Sequence, residues 1–462
     1  MSGKIIAFRI NEILRMIPLL FMFIAAAAEP SFCAENASAA QAAGYPGREV
    51  VEIDDNSTLA DYLRYAEASN PALKAAFHHW QAAVQKAPQA GALPEPRFSY
   101  SYFVREVETR VGPQSQRFGL SQALPWFGKL SLQKSAAGHQ ARSLEEKFNA
   151  ARLELFYRIK SAFFDYYYLA RSVEITRDNV KLLENVEAVS RKRYSAASGE
   201  FASVIKAQME LARLEDRLKS QLELRPVLFS RLNAALGRDP DLPLPWPARL
   251  PPVETDFDDQ ELSALLREHN PELKELKYLR QASRSAVELA GKNRYPDLNF
   301  GLDYIQTGRS VMAATPDDGK DPLMASFSIN LPLSFGRYRA AEREAADRLA
   351  ASEQVIRDRE NQLLARLKMA VASLRDAERK TELYGQVLAP KAEQAVKASL
   401  QSFAAGQYDI LEVIDAQRTL LEFQLAREKS LVERAKYLAE IDLLSGGTLS
   451  AGNENSSTTG DR

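Results

Sequence analysis

The chain has 462 residues, of which 60 are Lys or Arg and 61 are Asp or Glu, for a net charge of −1. That balance leaves no electrostatic footprint for nucleic acid as a partner, and the length suits two or three ordinary domains or one elongated molecule. Four histidines and a single cysteine leave little material for a transition-metal site and rule out a disulfide framework.

The predicted elements begin with an export signal at residues 1–34. Lys4, Arg9 and Arg15 precede the apolar run Ile17–Ile24 and four alanines, too short to span a bilayer but right for a signal. Cleavage near Cys33 or Ala34 fits, as does Ala37-Ser38-Ala39 further on. Cys33 is a candidate for lipidation, although Pro30-Ser31-Phe32 is a poor lipoprotein signal. A linker, 35–56, follows.

A first repeat spans 57–237. Ser57-Thr58-Leu59-Ala60-Asp61 signals a short helix, and Asn70-Pro71 starts another, with Asn as cap and Pro at the first helical position. The period then changes to two. Phe98, Tyr100 and Tyr102, and later Phe118 and Leu120, alternate with small or polar residues, predicting strands at about 97–104 and 116–124 joined as a hairpin. From Lys129 to about Ala196 no proline occurs, so a helix of roughly 65 residues, about 100 Å long, is expected. A second helix, about 200–236, carries Leu211, Leu214, Leu218 and Leu222 at coiled-coil spacing.

A proline-rich linker, 238–257, leads to a second repeat, 258–445, that says nearly the same thing again. Asn70-Pro71 returns as Asn270-Pro271, Leu124-Pro125-Trp126-Phe127-Gly128-Lys129 as Leu331-Pro332-Leu333-Ser334-Phe335-Gly336-Arg337, and Tyr194 as Phe403. The offsets are 200, 207 or 208, and 209. Strands are predicted at about 297–305 and 324–332, with Phe300, Leu302, Tyr304, Phe327 and Ile329 on one face. Long helices then run to about Phe403, interrupted by Pro390, and from 407 to 445. The tail, 446–462, is Gly- and Ser-rich and reads as disordered.

Alternating strands are compatible with packing on a core, but no other globular segment is available to cover them, and lipid is the remaining way to bury such a face. Four strands cannot close a barrel, so membrane strands would require an oligomer sharing one barrel; two copies would give eight strands and three would give twelve.

On these motifs the chain resembles the TolC-type outer-membrane efflux factors. The match rests on the Asn-Pro-x-Leu-Lys and Leu-Pro…Phe-Gly signatures, on Leu388-Ala389-Pro390-Lys391-Ala392, and on the stretch Phe403-Ala404-Ala405-Gly406-Gln407-Tyr408 through Asp415-Ala416-Gln417-Arg418, and covers about residues 57–445. The resemblance implies a mainly α fold with a membrane β-barrel contribution, in two tandem repeats each with a β-hairpin and long coiled-coil helices. It implies a homotrimer in the outer membrane of a Gram-negative bacterium, in contact with outer-membrane lipid, its helical barrel crossing the periplasm to a periplasmic adaptor (membrane fusion protein) and an inner-membrane pump. Such a duct serves efflux or type I secretion. The competing reading is a periplasmic coiled-coil structural or adaptor protein without a pore.

The resemblance also implies a gate at the periplasmic tip, with turns around Tyr194 and Gly199 and around Phe403 and Gly406, constriction carboxylates Glu412 and Asp415, and polar contacts at Tyr408 released on opening. The three-residue spacing puts Glu412 and Asp415 on one helix face, where acidic rings favour cations. Both could instead serve the helix dipole, or Asp415 could pair with Arg418. The first repeat departs from the pattern: Gly199 falls two positions late, and Ser203 and Lys206 stand at the places aligned with Glu412 and Asp415, so Lys206 is expected to offset part of the negative charge.

His78-His79 are adjacent and face different sides of a helix, so no metal site is assigned. The aromatic run Phe163 to Tyr168 suits packing between helices, and Trp126 and Trp246 suit either membrane-interface anchoring or packing. With no phosphate loop, nucleophile motif or acid–base pair, neither an enzyme nor a cofactor is expected. The cargo is not written in the sequence.

Overall fold

The computed structural model describes residues 52–251, 258–310 and 317–449. The predicted signal, Cys33 and the tail beyond Leu449 lie outside the described residues. The first repeat contains α1 (Leu59–Ser69), α2 (Pro71–Gly91), β1 (Arg97–Val107), β2 (Gln114–Leu124), α3 (Lys129–Ser195) and α4 (Phe201–Leu236). The second contains α5 (Asp259–His269), α6 (Pro271–Lys292), β3 (Leu298–Thr307), β4 (Leu323–Ile329), α7 (Phe335–Glu382), a π-helical turn (Leu383–Leu388), α8 (Ala389–Ala404) and α9 (Ile410–Leu444).

The repeated Asn-Pro has a double role that its sequence position half reveals. Asn70 Oδ1 accepts from the Leu73 amide at 3.0 Å, while its Nδ2 donates to the Ala235 carbonyl at 2.8 Å, at the far end of α4. Asn270 repeats both bonds, accepting from Glu272 and Leu273 and donating to the Leu444 carbonyl at 3.0 Å. One side chain thus caps its own helix and satisfies an orphan carbonyl at the end of the long helix returning from the far tip. The returning helices end on left-handed glycines that permit this approach. A Cβ on Gly237 (φ +77) would lie 2.9 Å from Pro71 Cδ, and one on Gly446 (φ +83) 2.5 Å from the His269 carbonyl oxygen. The expected tail therefore does not leave the body at Gly446: the chain continues to Leu449, which packs on the cluster of Leu262, Leu266, Leu363, Leu367 and Ile441.

The long helices are as expected, with one difference. Pro390 has no amide hydrogen and its ring crowds the preceding turn, and the ladder accommodates it by widening to the π-helical turn Leu383–Leu388 rather than by breaking. The proline-rich linker does not fold by itself but is strapped to the helices. Trp246 stacks on Tyr166 with ring centroids 4.9 Å apart, Arg225 covers the Trp246 ring at 4.3 Å, and Tyr166 Oη donates to the Leu244 carbonyl at 2.9 Å. Trp246 is thus a packing residue.

The four strands form one antiparallel sheet in the order β1-β2-β3-β4. Two hairpins were expected. In addition β2 and β3, from different repeats, pair along their length from Leu124↔Leu298 to Gln114↔Thr307, so the repeats meet edge to edge. β4 ends at Ile329; Leu331 and Leu333 continue outside the ladder, both exposed.

Candidate functional site

The end of the helices farthest in sequence from the sheet holds two turns of the same construction. In the second repeat the amides of Ala405, Gly406 and Gln407 donate to the carbonyls of Gln401, Phe403 and Ser402, and Gly406 has φ +76. In the first repeat the amides of Ala196, Ala197 and Ser198 donate to the carbonyls of Lys192, Tyr194 and Arg193, each 209 residues earlier. This is the Schellman closure of a helix, with one left-handed residue. The first-repeat counterpart of Gly406 is therefore Ala197 (φ +52), not Gly199. The late glycine is no shifted turn; an alanine tolerates the left-handed position.

The turns are joined by Arg193, a residue the motif comparison did not single out. Its guanidinium donates to the Phe403 carbonyl, donates to the Ser198 carbonyl at 3.2 Å, and lies 4.8 Å from the centre of the Phe403 ring. Phe403 is buried, whereas Tyr194 is half exposed and tilts against Phe201 at 5.3 Å. The signal for Arg193 was a break in the repeat, because Ser402 stands at its counterpart.

Behind the turns, Val180, Leu183, Val186, Ala207, Leu214, Ile410, Val413, Ile414 and Leu421 fill a core shared by α3, α4 and α9. Polar bridges cross it. Arg418 on α9 grips Glu210 on α4 with both arms, Nε to Oε1 being 3.0 Å; Glu210 is only 4% exposed, and this fork holds its carboxyl below the usual carboxylate range. Glu187 on α3 takes bonds from Arg191 at 2.5 Å and Gln208 at 2.9 Å, which lower its pKa likewise. Fully buried Gln417 donates to Asn179 Oδ1 at 3.1 Å.

Against this frame the predicted tip residues separate. Lys206 Nζ lies 3.3 Å from Asp409, the N-cap of α9, so its charge is engaged there. Arg418 forms its fork with Glu210, and Asp415 lies within its electrostatic reach without an ion pair to it. Glu412 and Asp415 are exposed on one face of α9, and neither carboxylate has an ion pair among the described residues. Tyr408, just before α9, is half exposed, and Ser203 is half buried on α4.

At the sheet, one face is apolar and uncovered. Phe98, Leu120, Leu302 and Ala325 form one cross-strand row, and Tyr100, Phe118, Tyr304 and Leu323 the next. Tyr102 extends this face on β1, while Phe300, Phe327 and Ile329 extend it toward the helices. Phe98 is 67% and Phe327 60% exposed. The opposite face carries Ser99, Gly119, Asp303, Arg117, Ser121 and Ser326. Core packing, one of the two readings open from sequence, is not what these strands do.

A family model described as outer membrane efflux protein matches residues 63–238 and 262–447, one match per repeat and together well over half the chain. The chain belongs to the outer membrane efflux protein family. It is similar to the cobalt-zinc-cadmium resistance protein CzcC of Cupriavidus metallidurans, 26% identical over 80% of this chain and 85% of that protein. In fold it resembles the outer-membrane channel OprN (TM-score 0.72, 16% identity, 88% of this chain and 95% of that one) and the outer membrane protein VceC of Vibrio cholerae (TM-score 0.70, 21% identity, 84% and 96%). As a member of this family it is an outer-membrane efflux protein and not an enzyme. Its fold is mainly α with a membrane-barrel contribution.

Proposed function

We propose that three copies of this efflux protein close one twelve-stranded barrel and one helical tube below it, forming the passive exit duct of a tripartite efflux or type I secretion system. The observation that carries this reading is the aromatic sheet face, which among the described residues no helix covers, and which is bounded by outer edges of β1 and β4 that no described strand pairs. In lipid each unpaired backbone group costs several kcal/mol, so a four-stranded sheet is stable there only as part of a closed barrel. Two copies would also close one; the family resemblance favours three. Met209 on α4 and Val355 and Met369 on α7, all exposed in the single chain, suit packing between copies.

The tip is the gate. Three copies set the carboxylates of Glu412 and Asp415 in a ring around the axis, with Tyr408 beside them, and such a ring favours cations. Ser203 and Lys206 line the first-repeat side, and Lys206 weakens the ring less than its position suggests because Asp409 holds it. Tyr194, Gly199, Phe403 and Gly406 belong to the turns that move on opening. A periplasmic adaptor docks in the apolar groove lined by Leu182, Val186, Val189, Leu400 and Phe403, and the inner-membrane pump supplies the energy. The similarity to a cobalt-zinc-cadmium resistance protein, together with unpaired tip carboxylates, supports divalent metal cations as the cargo class.

Single-channel conductance in planar bilayers tests the duct and its gate together. Wild type should conduct weakly, and Glu412→Ala/Asp415→Ala should conduct severalfold more. Silence in both, from protein shown to be inserted, would instead favour a coiled-coil structural role.

A further inference from the structure

The polar face of the sheet carries one pair of opposite charges with no part in the gate. Arg117 on β2 donates through Nε and Nη2 to the two carboxylate oxygens of Asp303 on β3, at 3.0 and 2.8 Å. The pair spans the seam where the two repeats meet. Asp303 is 7% exposed, and its carboxylate lies flat across the sheet in the space a side chain at position 119 would take. A Cβ on Gly119 would lie 2.5 Å from Asp303 Oδ1. Gly119 is thus needed for room, not for an unusual backbone angle. Around the pair the same face is uncharged, with Ser101 and Ile305 opposite Arg117, Met324 opposite Asp303, and Ser99, Ser121, Gly301 and Ser326 in the neighbouring rows.

We infer that Asp303 is a charge mask that sets the ion preference of the barrel section by holding the Arg117 guanidinium neutralised on the lumenal wall. The inference rests on the barrel reading above, in which the face opposite the aromatic belt lines the lumen. An ionisable pair at membrane depth belongs on such a water-filled side, and lumenal charges tune what passes. Among the paired rows the other charge on this face is Arg97, beside Ser121 near the helical end of the sheet, with no ion-pair partner among the described residues. Within the paired rows, with Asp303 in place each protomer therefore presents one uncompensated cation on this face; without it, each presents two. A fork of two parallel bonds fixes the guanidinium plane and cancels the net charge that an ion passing at a distance feels. Glu412 and Asp415 select at the tip, while the Arg117–Asp303 pair keeps the barrel from opposing cations more strongly than Arg97 alone does.

Reversal potentials in asymmetric KCl test this, measured in the Glu412→Ala/Asp415→Ala background so that the tip does not dominate the reading. Asp303→Asn should raise the anion-to-cation permeability ratio by at least about twofold. Arg117→Gln should lower it by a similar factor, and the double variant Arg117→Gln/Asp303→Asn should return it to the parent value. Ser99→Cys, treated with a water-soluble thiol reagent and compared with equally treated parent protein, should lose current, which locates this face on the conduction path independently. Block at Ser99→Cys without the opposed shifts would overturn the mask while leaving the channel standing. Conduction without block would overturn the lumenal placement. No current from inserted protein would overturn the channel reading and this inference with it.

Discussion

Arg193 is where the two tip turns become one unit. It makes two bonds to carbonyls of different hairpins and a ring contact with Phe403, all from a planar group. A lysine has neither the fork nor the flat face to reproduce that set. Arg193→Ala should lower the local stability of the turns by about 1–3 kcal/mol, and Arg193→Lys should recover little of it. Hydrogen exchange is the direct readout: amides of 196–198 and 405–407 should exchange faster in both variants while the helix bodies keep wild-type protection. Unchanged protection at the turns would show that the guanidinium decorates a rigid tip rather than holding it. At this scale the sequence was legible only in part. Glu412 and Asp415 stand out because their three-residue spacing faces them one way whatever surrounds them. Arg193 does not, because its partner is a main-chain carbonyl 210 residues away. The left-handed residue of the first turn, Ala197, carried no sequence signal, because glycine is the usual one for that geometry and Gly199 stands two positions later.

The elements themselves were legible almost throughout, because each rests on a period or a cap that needs no tertiary context. Alternation marked all four strands, and Asn-Pro marked the starts of α2 and α6. What could not be read was what two-sided contacts decide: the pairing of β2 with β3, the docking of the linker by Trp246, and the π-helical turn that absorbs Pro390. The strand face carries a direct test. Leu302 sits between Leu120 and Ala325 in a central row, so Leu302→Arg should destabilise the inserted barrel by about 2–4 kcal/mol if that face meets lipid. The detergent-resistant oligomer should then dissociate at a lower temperature than wild type. The helices carry another test. Arg418 depresses the Glu210 carboxyl below its ordinary value of 4.5, and a depressed carboxyl contributes stability above its unfolded pKa that is lost as pH falls through the folded one. Glu210→Gln should therefore lower the stability of the α4–α9 contact by about 1–3 kcal/mol at neutral pH. The gap in melting temperature between wild type and variant should stay constant down to about pH 4.5, then close with further acidification. A gap that persisted unchanged in stronger acid would mean that packing, not the ion pair, sets the difference.

For the whole molecule, the division of labour follows from what the chain carries and what it lacks. In the assembly proposed above, two sheet edges need further copies and an apolar groove near the tip suits a helical partner. In the duct proposed above, selectivity and closure would both reside in fixed charges. An acidic ring raises the local concentration of cations and does so more strongly for divalent than for monovalent ions, since the interaction scales with charge. Glu412→Gln/Asp415→Asn removes that charge with little change in side-chain size, separating electrostatics from the width of the opening. In a strain that keeps a matched adaptor and pump but lacks its own channel, the wild-type protein should restore tolerance to zinc, cobalt and cadmium. The uncharged variant should restore it severalfold less well while conducting at least as well in bilayers. If instead the variant restores metal tolerance fully, the carboxylates act only to hold the tip shut, and the cargo is chosen upstream by the pump.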